Sequence, residues 1–212
     1  MRISEIFYSV EGEGIQIGRL EVFVRLSKCN LNCKWCDTKY AKQDGREMEI
    51  QEVLSEIEKY RCKNISITGG EPLCQSSQLL DLLSQLKSLG YWVQINTNGT
   101  LFDRRIFELV DLVSMDCKCP SSGEKSNMAV VEKTRALFDH KAQLKFVVSD
   151  KTDLDYAKHI IKKLNPTNSI IQPEWAHRKF AIKIVDSVKK DGLNSRIIIQ
   201  QHKVIWGNKK GV

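Results

Sequence analysis

The chain has 212 residues, enough for one substantial hydrophobic core and few for two. With 28% charged and 42% hydrophobic residues it has the make-up of a soluble globular protein, and no apolar run approaches the roughly 20 residues of a membrane span. The net charge of +7 is spread over Lys158, Lys162, Lys163, Lys179, Lys183, Lys189 and Lys190 in helical segments, a solvated basic surface and not the footprint of a nucleic-acid partner.

The opening segment, which contains Phe7-Tyr-Ser-Val-Glu-Gly-Glu-Gly14, lacks the apolar core of a signal peptide and reads as the start of a strand, so the expected location is the cytoplasm. Short runs rich in Val, Ile or aromatics, bounded by turn signals, predict strands at 22–26, 65–68, 92–96, 112–115, 144–148, 170–172 and 197–200. Between them lie segments at helical spacing. Ile50, Val53, Leu54 and Ile57 share one face, as do Leu79, Leu82, Leu83 and Leu86. Leu154, Ala157, Ile161 and Leu164 follow, then Phe180, Ile184 and Val188. Pro120-Ser-Ser-Gly123 reads as a surface loop and the residues from Gly207 as a loosely packed tail. Strand–helix alternation implies an α/β fold with a mainly parallel sheet and right-handed crossovers, in one domain spanning residues 1–212.

Ligands collect at the carboxyl ends of strands in such sheets. Six of the predicted ends carry polar or thiol residues. Cys29 follows the first, Thr68-Gly-Gly-Glu-Pro72 the second, and Asn96-Thr-Asn-Gly99 the third. Asp116-Cys-Lys118, Gln172-Pro-Glu174 and Gln201-His202 follow later ones.

Cys29, Cys33 and Cys36 stand in a C-x3-C-x2-C run. A structural zinc closes a tetrahedron with four ligands. Three close thiolates suit instead a cubane of four irons, with one iron left for an exogenous ligand. Seven cysteines, clustered and odd in number, argue for thiolates kept reduced and against a secreted disulfide framework. In the GGEP turn the two glycines let a ligand approach the main chain closely, and Glu71 can accept hydrogen bonds from an ammonium group. A plain strand-to-helix turn with an N-cap role is the other reading of that segment.

The cysteine run followed by TGGEP resembles the radical S-adenosylmethionine superfamily. That resemblance implies a [4Fe–4S] cluster on Cys29, Cys33 and Cys36. It implies S-adenosylmethionine chelating the open iron through its amino and carboxylate groups, and its reductive cleavage to a 5′-deoxyadenosyl radical. The EGEG run, Arg25, Asp37-Thr38 after the cluster, TNGT, Lys118 and QHK together resemble the 7-carboxy-7-deazaguanine synthase family over essentially the whole chain. The fold implied is an open, partial parallel α/β barrel of about six strands with a reduced helix complement. The implied activity is ring contraction of 6-carboxy-5,6,7,8-tetrahydropterin to 7-carboxy-7-deazaguanine with loss of ammonia, a carbon–nitrogen lyase step of 7-deazapurine and queuosine biosynthesis.

By the same resemblance the pterin would be bound by Val10, Glu11, Gly12, Arg25, Thr68 and Val212. The S-adenosylmethionine would be bound by Trp35, Cys36, Asp37, Gly70, Glu71, Asp116, Cys117, Lys118, Gln172, Pro173, Glu174 and Trp175. Thr38 would hold a Mg²⁺ that also meets the substrate carboxylate; a turn cap is its other reading. A flavodoxin- or ferredoxin-type reductant and a homodimer are expected with it. The chain departs from the family where Asp116-Cys-Lys replaces the commoner Ser-Pro-Lys, and where it ends in Val212 and not proline. Cys117 and Cys119 are buried small residues or join Cys62 and Cys74 in an auxiliary metal site. His202 meets substrate or hydrogen-bonds internally, while His140, His159 and His177 read as surface residues. A glycyl-radical-enzyme activase shares the cysteine run and the GGE turn, and a zinc or nucleic-acid-binding module is the more distant alternative.

Overall fold

A computed structural model describes residues 1–209 and 211–212. Among these residues, nine strands form one sheet in the order β3-β1-β2-β4-β5-β6-β7-β8-β9. The strands are β1 (Arg2–Val10), β2 (Leu20–Leu26), β3 (Arg46–Glu47), β4 (Asn64–Gly69), β5 (Trp92–Thr97), β6 (Leu112–Asp116), β7 (Ala142–Val148), β8 (Ser169–Pro173) and β9 (Arg196–Ile197). From β2 to β9 neighbours run parallel, while β1 pairs antiparallel with β2 and with β3. The edges are β3 and β9, so the sheet is open, a partial barrel whose central parallel strands are the six from β2 to β8.

Each parallel connection carries a helix: α1 (Ile50–Glu58), α2 (Ser76–Ser88), α3 (Arg104–Leu109), α4 (Met128–Phe138), α5 (Lys151–Leu164) and α6 (Ala181–Asp191), with α7 (Gln201–Trp206) following β9. Side-chain caps set several starts. The carboxylates of Asp103 and Asp150 and the amide oxygen of Asn127 accept from backbone N–H groups in the first turns of α3, α5 and α4.

The sheet sorts its side chains by the two-residue period of a strand. One face aligns Val22 with Ile65, Ile65 with Val93, Ile95 with Val113 and Met115 with Leu144. These are buried in a single core with Val53, Ile57, Leu79, Leu82, Leu83, Leu86, Phe107, Val131, Leu154, Ile161, Ile184 and Val188 from the helices. The other face aligns Arg25 with Thr68, Ser66 with Gln94, Asn96 with Ser114 and Asp116 with Lys145. Polar side chains thus fill the concave interior.

Two expectations are corrected. The strand expected at 197–200 survives only as Arg196–Ile197 in β9, because the chain then leaves the sheet. There Gln201 N donates to Gly12 O at 3.0 Å and Gln200 Nε2 to Glu13 at 2.7 Å. Pro120–Ser122 is not a plain surface loop but a helical turn with Ser122 buried, and Ser122 O accepts from Lys34 N at 2.9 Å. The spacing of apolar residues missed α3 and α7, each of six residues, and α4.

Candidate active site

The carboxyl ends of the parallel strands, the loop after β1 and the start of α7 enclose a cavity of about 270 Å³. All three thiols of the C-x3-C-x2-C run lie on its wall. Their loop is pinned along its length. Lys42 Nζ donates to Leu31 O at 2.7 Å, Asn32 N to Glu124 Oε1 at 2.6 Å, and Asn98 Nδ2 to Asn30 Oδ1 at 2.9 Å. Burial raises the Cys33 thiol pKa against the opposing effect of Lys118.

All seven cysteines are free thiols. No three Cys, His, Asp or Glu side chains among the described residues are placed to hold a single metal ion. A tetrahedral zinc, with Zn–S bonds of about 2.3 Å, would draw its thiolates to about 3.8 Å from each other. Three separate thiols on one wall fit a [4Fe–4S] cluster, which takes one thiolate on each of three irons.

The GGEP turn lies against this loop. A Cβ at Gly70 would stand 1.8 Å from Lys28 O and 3.0 Å from Cys29 Cβ, so only glycine lets the two segments cross. Thr68 and Gly70 reach the cavity, but Glu71 is fully buried behind it. Its carboxylate was expected to face an ammonium group. Instead it accepts from Leu73 N at 3.1 Å, Thr97 Oγ1 at 2.9 Å and Asn98 N at 2.7 Å. Burial raises its pKa and those bonds oppose the shift. Glu71 therefore holds the turn after β5.

Trp35, Cys36, Asp37, Asp116, Lys118, Glu174 and Trp175 all line the cavity. Cys117 does not: it is buried in the hydrophobic core, as is Cys119, and burial pushes both thiols up. The alternation of the strand sends residue 116 inward and residue 117 outward. No auxiliary metal group of Cys62, Cys74, Cys117 and Cys119 is found among the described residues. Gln172 and Pro173 are buried and do not reach the wall; Gln172 Nε2 supports it from behind by donating to Glu13 Oε1 at 3.0 Å.

Val10, Glu11, Gly12, Arg25, Thr38 and Val212 also line the cavity. Arg25 Nε donates to Glu5 Oε1 at 2.7 Å, and the Tyr40 hydroxyl donates to the same oxygen at 2.6 Å, which fixes the plane of the guanidinium. Thr38 sits at the start of the helical turn Lys39–Lys42, but its side chain makes no capping bond there. Its hydroxyl lies 3.7 Å from Cys36 Sγ, beside the cavity.

The Radical SAM superfamily matches residues 24–116, the span from β2 through the cysteine, GGEP and TNGT segments to Asp116. The chain is 39% identical to the 7-carboxy-7-deazaguanine synthase of Clostridium acetobutylicum, over 100% of this chain and 99% of that one. It is 36% identical to the synthase of the same name from Methanospirillum hungatei, over 97% of this chain and 85% of that one. The chain belongs to the 7-carboxy-7-deazaguanine synthase family. The crystal structure of QueE from Escherichia coli shares the fold, with a TM-score of 0.73 at 23% identity over 95% of this chain and 94% of that one. These likenesses do not favour the activase or the zinc-module alternative.

Within this family fold the cavity floor holds residues that motif reading missed. Lys145 on β7 contacts the Glu13 carboxylate and lies 3.9 Å from Asp116 Oδ2, which also takes Lys118 Nζ at 2.9 Å. Burial lowers the pKa of Lys118 and of Lys145, but the acids beside them outweigh it and both end above the usual lysine value. For Glu13, burial alone would raise the pKa, yet Lys145 holds it well below the usual carboxylate range. Glu11, next to Glu21 and Glu13, is pushed up to about 8, chiefly by burial. His202 lies on the wall and packs so tightly on Gly12 that a Cβ there would be 2.0 Å from Nδ1; burial lowers its pKa. His140, His159 and His177 are exposed. The overlooked signal was the polar residue recurring inside apolar strands, Gln94, Ser114, Lys145 and Gln172. A parallel sheet covered on both faces would read as continuous apolar runs.

Proposed function

We propose that the chain converts 6-carboxy-5,6,7,8-tetrahydropterin to 7-carboxy-7-deazaguanine with loss of ammonia, as a radical S-adenosylmethionine lyase. One observation carries the reading. The three thiols, Gly70, Lys118, Arg25, Thr38 and the Val10–Gly12 segment, drawn from five separate stretches of sequence, line one cavity in a chain aligned end to end with relatives of that name. Cys29, Cys33 and Cys36 would hold a [4Fe–4S] cluster, and S-adenosylmethionine bound there supplies the one-electron chemistry.

The chain's own residues bind and orient. Arg25, its Nε edge held by Glu5, offers its remaining N–H groups to the substrate carboxylate as a fork. Thr38 would supply an oxygen ligand to a Mg²⁺, a hard cation whose charge would help orient the substrate carboxylate. Main-chain groups of Val10, Glu11 and Gly12 meet the amide edge of the pterin, and Val212 approaches it from the tail. Asp116 and Lys118 face the S-adenosylmethionine side with Glu174 and Trp175. Free thiols throughout support a reducing, cytoplasmic setting, and residues 1–212 act as one domain. The exposed lysines would favour an acidic one-electron donor of the flavodoxin or ferredoxin type, and the working form is a homodimer.

The test is anaerobic incubation of iron-reconstituted protein with S-adenosylmethionine, Mg²⁺, a chemical reductant and the carboxytetrahydropterin. A deazapurine carboxylate detected by mass, together with released ammonia and 5′-deoxyadenosine or recycled cofactor, is expected. Iron-loaded protein that cleaves S-adenosylmethionine yet never yields the deazapurine would overturn the assignment.

A further inference from the structure

The GGEP and TNGT turns are tied to the cysteine loop by a network of side-chain hydrogen bonds. Glu71 accepts from Thr97 Oγ1 and Asn98 N and so fixes the backbone of the turn after β5. The Asn98 side chain, 7% exposed, is oriented by its own partners. Its Oδ1 accepts from Thr100 N at 3.0 Å and from Thr100 Oγ1 at 2.6 Å. A backbone N–H can only donate, so the amide oxygen must face Thr100 and the amide nitrogen must point the other way. That nitrogen donates to Asn30 Oδ1 at 2.9 Å and lies 3.9 Å from Cys29 Sγ. Asn30 Nδ2 closes the ring on Thr100 Oγ1 at 2.8 Å.

We propose that Asn98 is a positioning residue that sets the reduction potential of the cluster through an N–H···S bond to Cys29, and that Glu71 holds it there. The inference rests on the cluster reading above. A reduced cluster carries one more electron and places more negative charge on its thiolate sulfurs. A donor aimed at one of those sulfurs therefore stabilises the reduced state more than the oxidised state and raises the potential. Asn30, which accepts from the same amide nitrogen, restrains the cysteine loop without touching sulfur.

The experiment compares wild type, Asn98→Ala, Asn98→Asp and Asn30→Ala after anaerobic reconstitution, without S-adenosylmethionine or pterin. Iron per chain and circular dichroism are measured first, then the midpoint potential by a redox titration followed by electron paramagnetic resonance. Asn98→Ala should lower the reduced-to-oxidised ratio at a fixed applied potential about tenfold, a shift of about 59 mV for one electron. Asn98→Asp keeps the shape and the acceptor for Thr100 but turns an oxygen toward the sulfur, and should shift the potential further down. Asn30→Ala should leave it at the wild-type value. Iron-loaded Asn98→Ala or Asn98→Asp protein with the wild-type potential would overturn this proposal alone. Wild-type protein that takes up no iron would overturn it together with the cluster reading.

Discussion

Gly70→Ala tests whether the cluster loop and the GGEP turn cross as closely as the structure places them. The new methyl would stand 1.8 Å from Lys28 O and 2.5 Å from the Lys28 carbonyl carbon. Ordinary carbon contacts begin near about 3.5 Å, so the segments must part by roughly 1.5 Å. Both obstacles are backbone, which no rotamer change relieves. Gly70 does not have a positive φ, so the cost is steric and not conformational. Moving Lys28 O also strains its acceptance of Glu71 N at 2.8 Å. Overpacking of about 1–3 kcal/mol and a lost hydrogen bond of about 1 kcal/mol are offset by about 0.4–1 kcal/mol from the stiffer unfolded chain. The net loss is about 2–3 kcal/mol. Urea denaturation of the reduced apo-protein should show a midpoint about 1 M lower for a slope near 2 kcal/mol/M. Cys29 would move with Lys28, so iron per chain after reconstitution should fall several-fold. A wild-type midpoint with full iron would refute the geometry.

The folded pKa of Glu11, about 8 against 4.5 for an unperturbed carboxyl, means that the folded chain keeps a proton the unfolded chain releases. Wild-type stability is therefore greatest below about pH 4.5 as far as this group is concerned, and it falls as pH rises, the loss being complete above about 8 and reaching about 5 kcal/mol. Denaturation midpoints of Glu11→Gln and wild type measured from pH 5 to 9 should separate in favour of the variant; parallel curves would contradict the burial argument. Thr38→Ala should raise the Mg²⁺ concentration for half-maximal turnover at least about tenfold, while Thr38→Ser keeps it, since only a hydroxyl is required. Identical Mg²⁺ curves for all three proteins would remove Thr38 from the metal. Arg25→Lys keeps charge but loses the fork, so KM for the pterin should rise about ten- to hundredfold with kcat less affected; an unchanged KM would exclude carboxylate binding there.

Much of the fold was legible because strand and helix periods were clean where burial demanded them. Ile65, Ile67, Val93 and Ile95 mark the helix-covered face, and Leu79, Leu82, Leu83 and Leu86 mark the helix that covers it. The 197–200 run looked like another strand because Ile197, Ile198 and Ile199 are β-branched. Propensity could not reveal that Gln200 and Gln201 would be drawn away by Glu13 and Gly12. In the site, residues were found where motif and local chemistry coincide, as for the three thiols and Gly70. Glu71 was assigned to a ligand because a carboxylate in a glycine turn suggests one. Only the three-dimensional approach of the turn after β5 shows that its oxygens accept from Leu73 N, Thr97 Oγ1 and Asn98 N. For Cys117 the buried-residue reading holds, because alternation along a strand sends the middle residue of Asp116-Cys-Lys118 to the face opposite its neighbours.

The open sheet raises the question of what closes the concave side, since β3 and β9 are edges that do not pair with each other. The answer lies in the loop that follows β1. Gly12 O accepts from Gln201 N, and Ile15 N donates to Gln143 Oε1 at 2.7 Å, so this loop spans from β1 to β7 and α7. At its centre Glu13 gathers Lys145, Gln172 and Gln200, one group each from β7, β8 and the segment before α7. Side-chain hydrogen bonds thus do for the polar interior what a backbone ladder does for a closed barrel. The arrangement is demanding: with the Glu13 carboxylate removed, Lys145 would be left as a buried charge short of a partner, a loss of about 3–5 kcal/mol. The demand also accounts for the site's position. Glu13 adjoins Glu11 and Gly12 on the proposed pterin side, while Lys145 reaches Asp116 on the proposed S-adenosylmethionine side. The contact that ties the loop after β1 to β7 and β8 therefore also lies within the cavity lining.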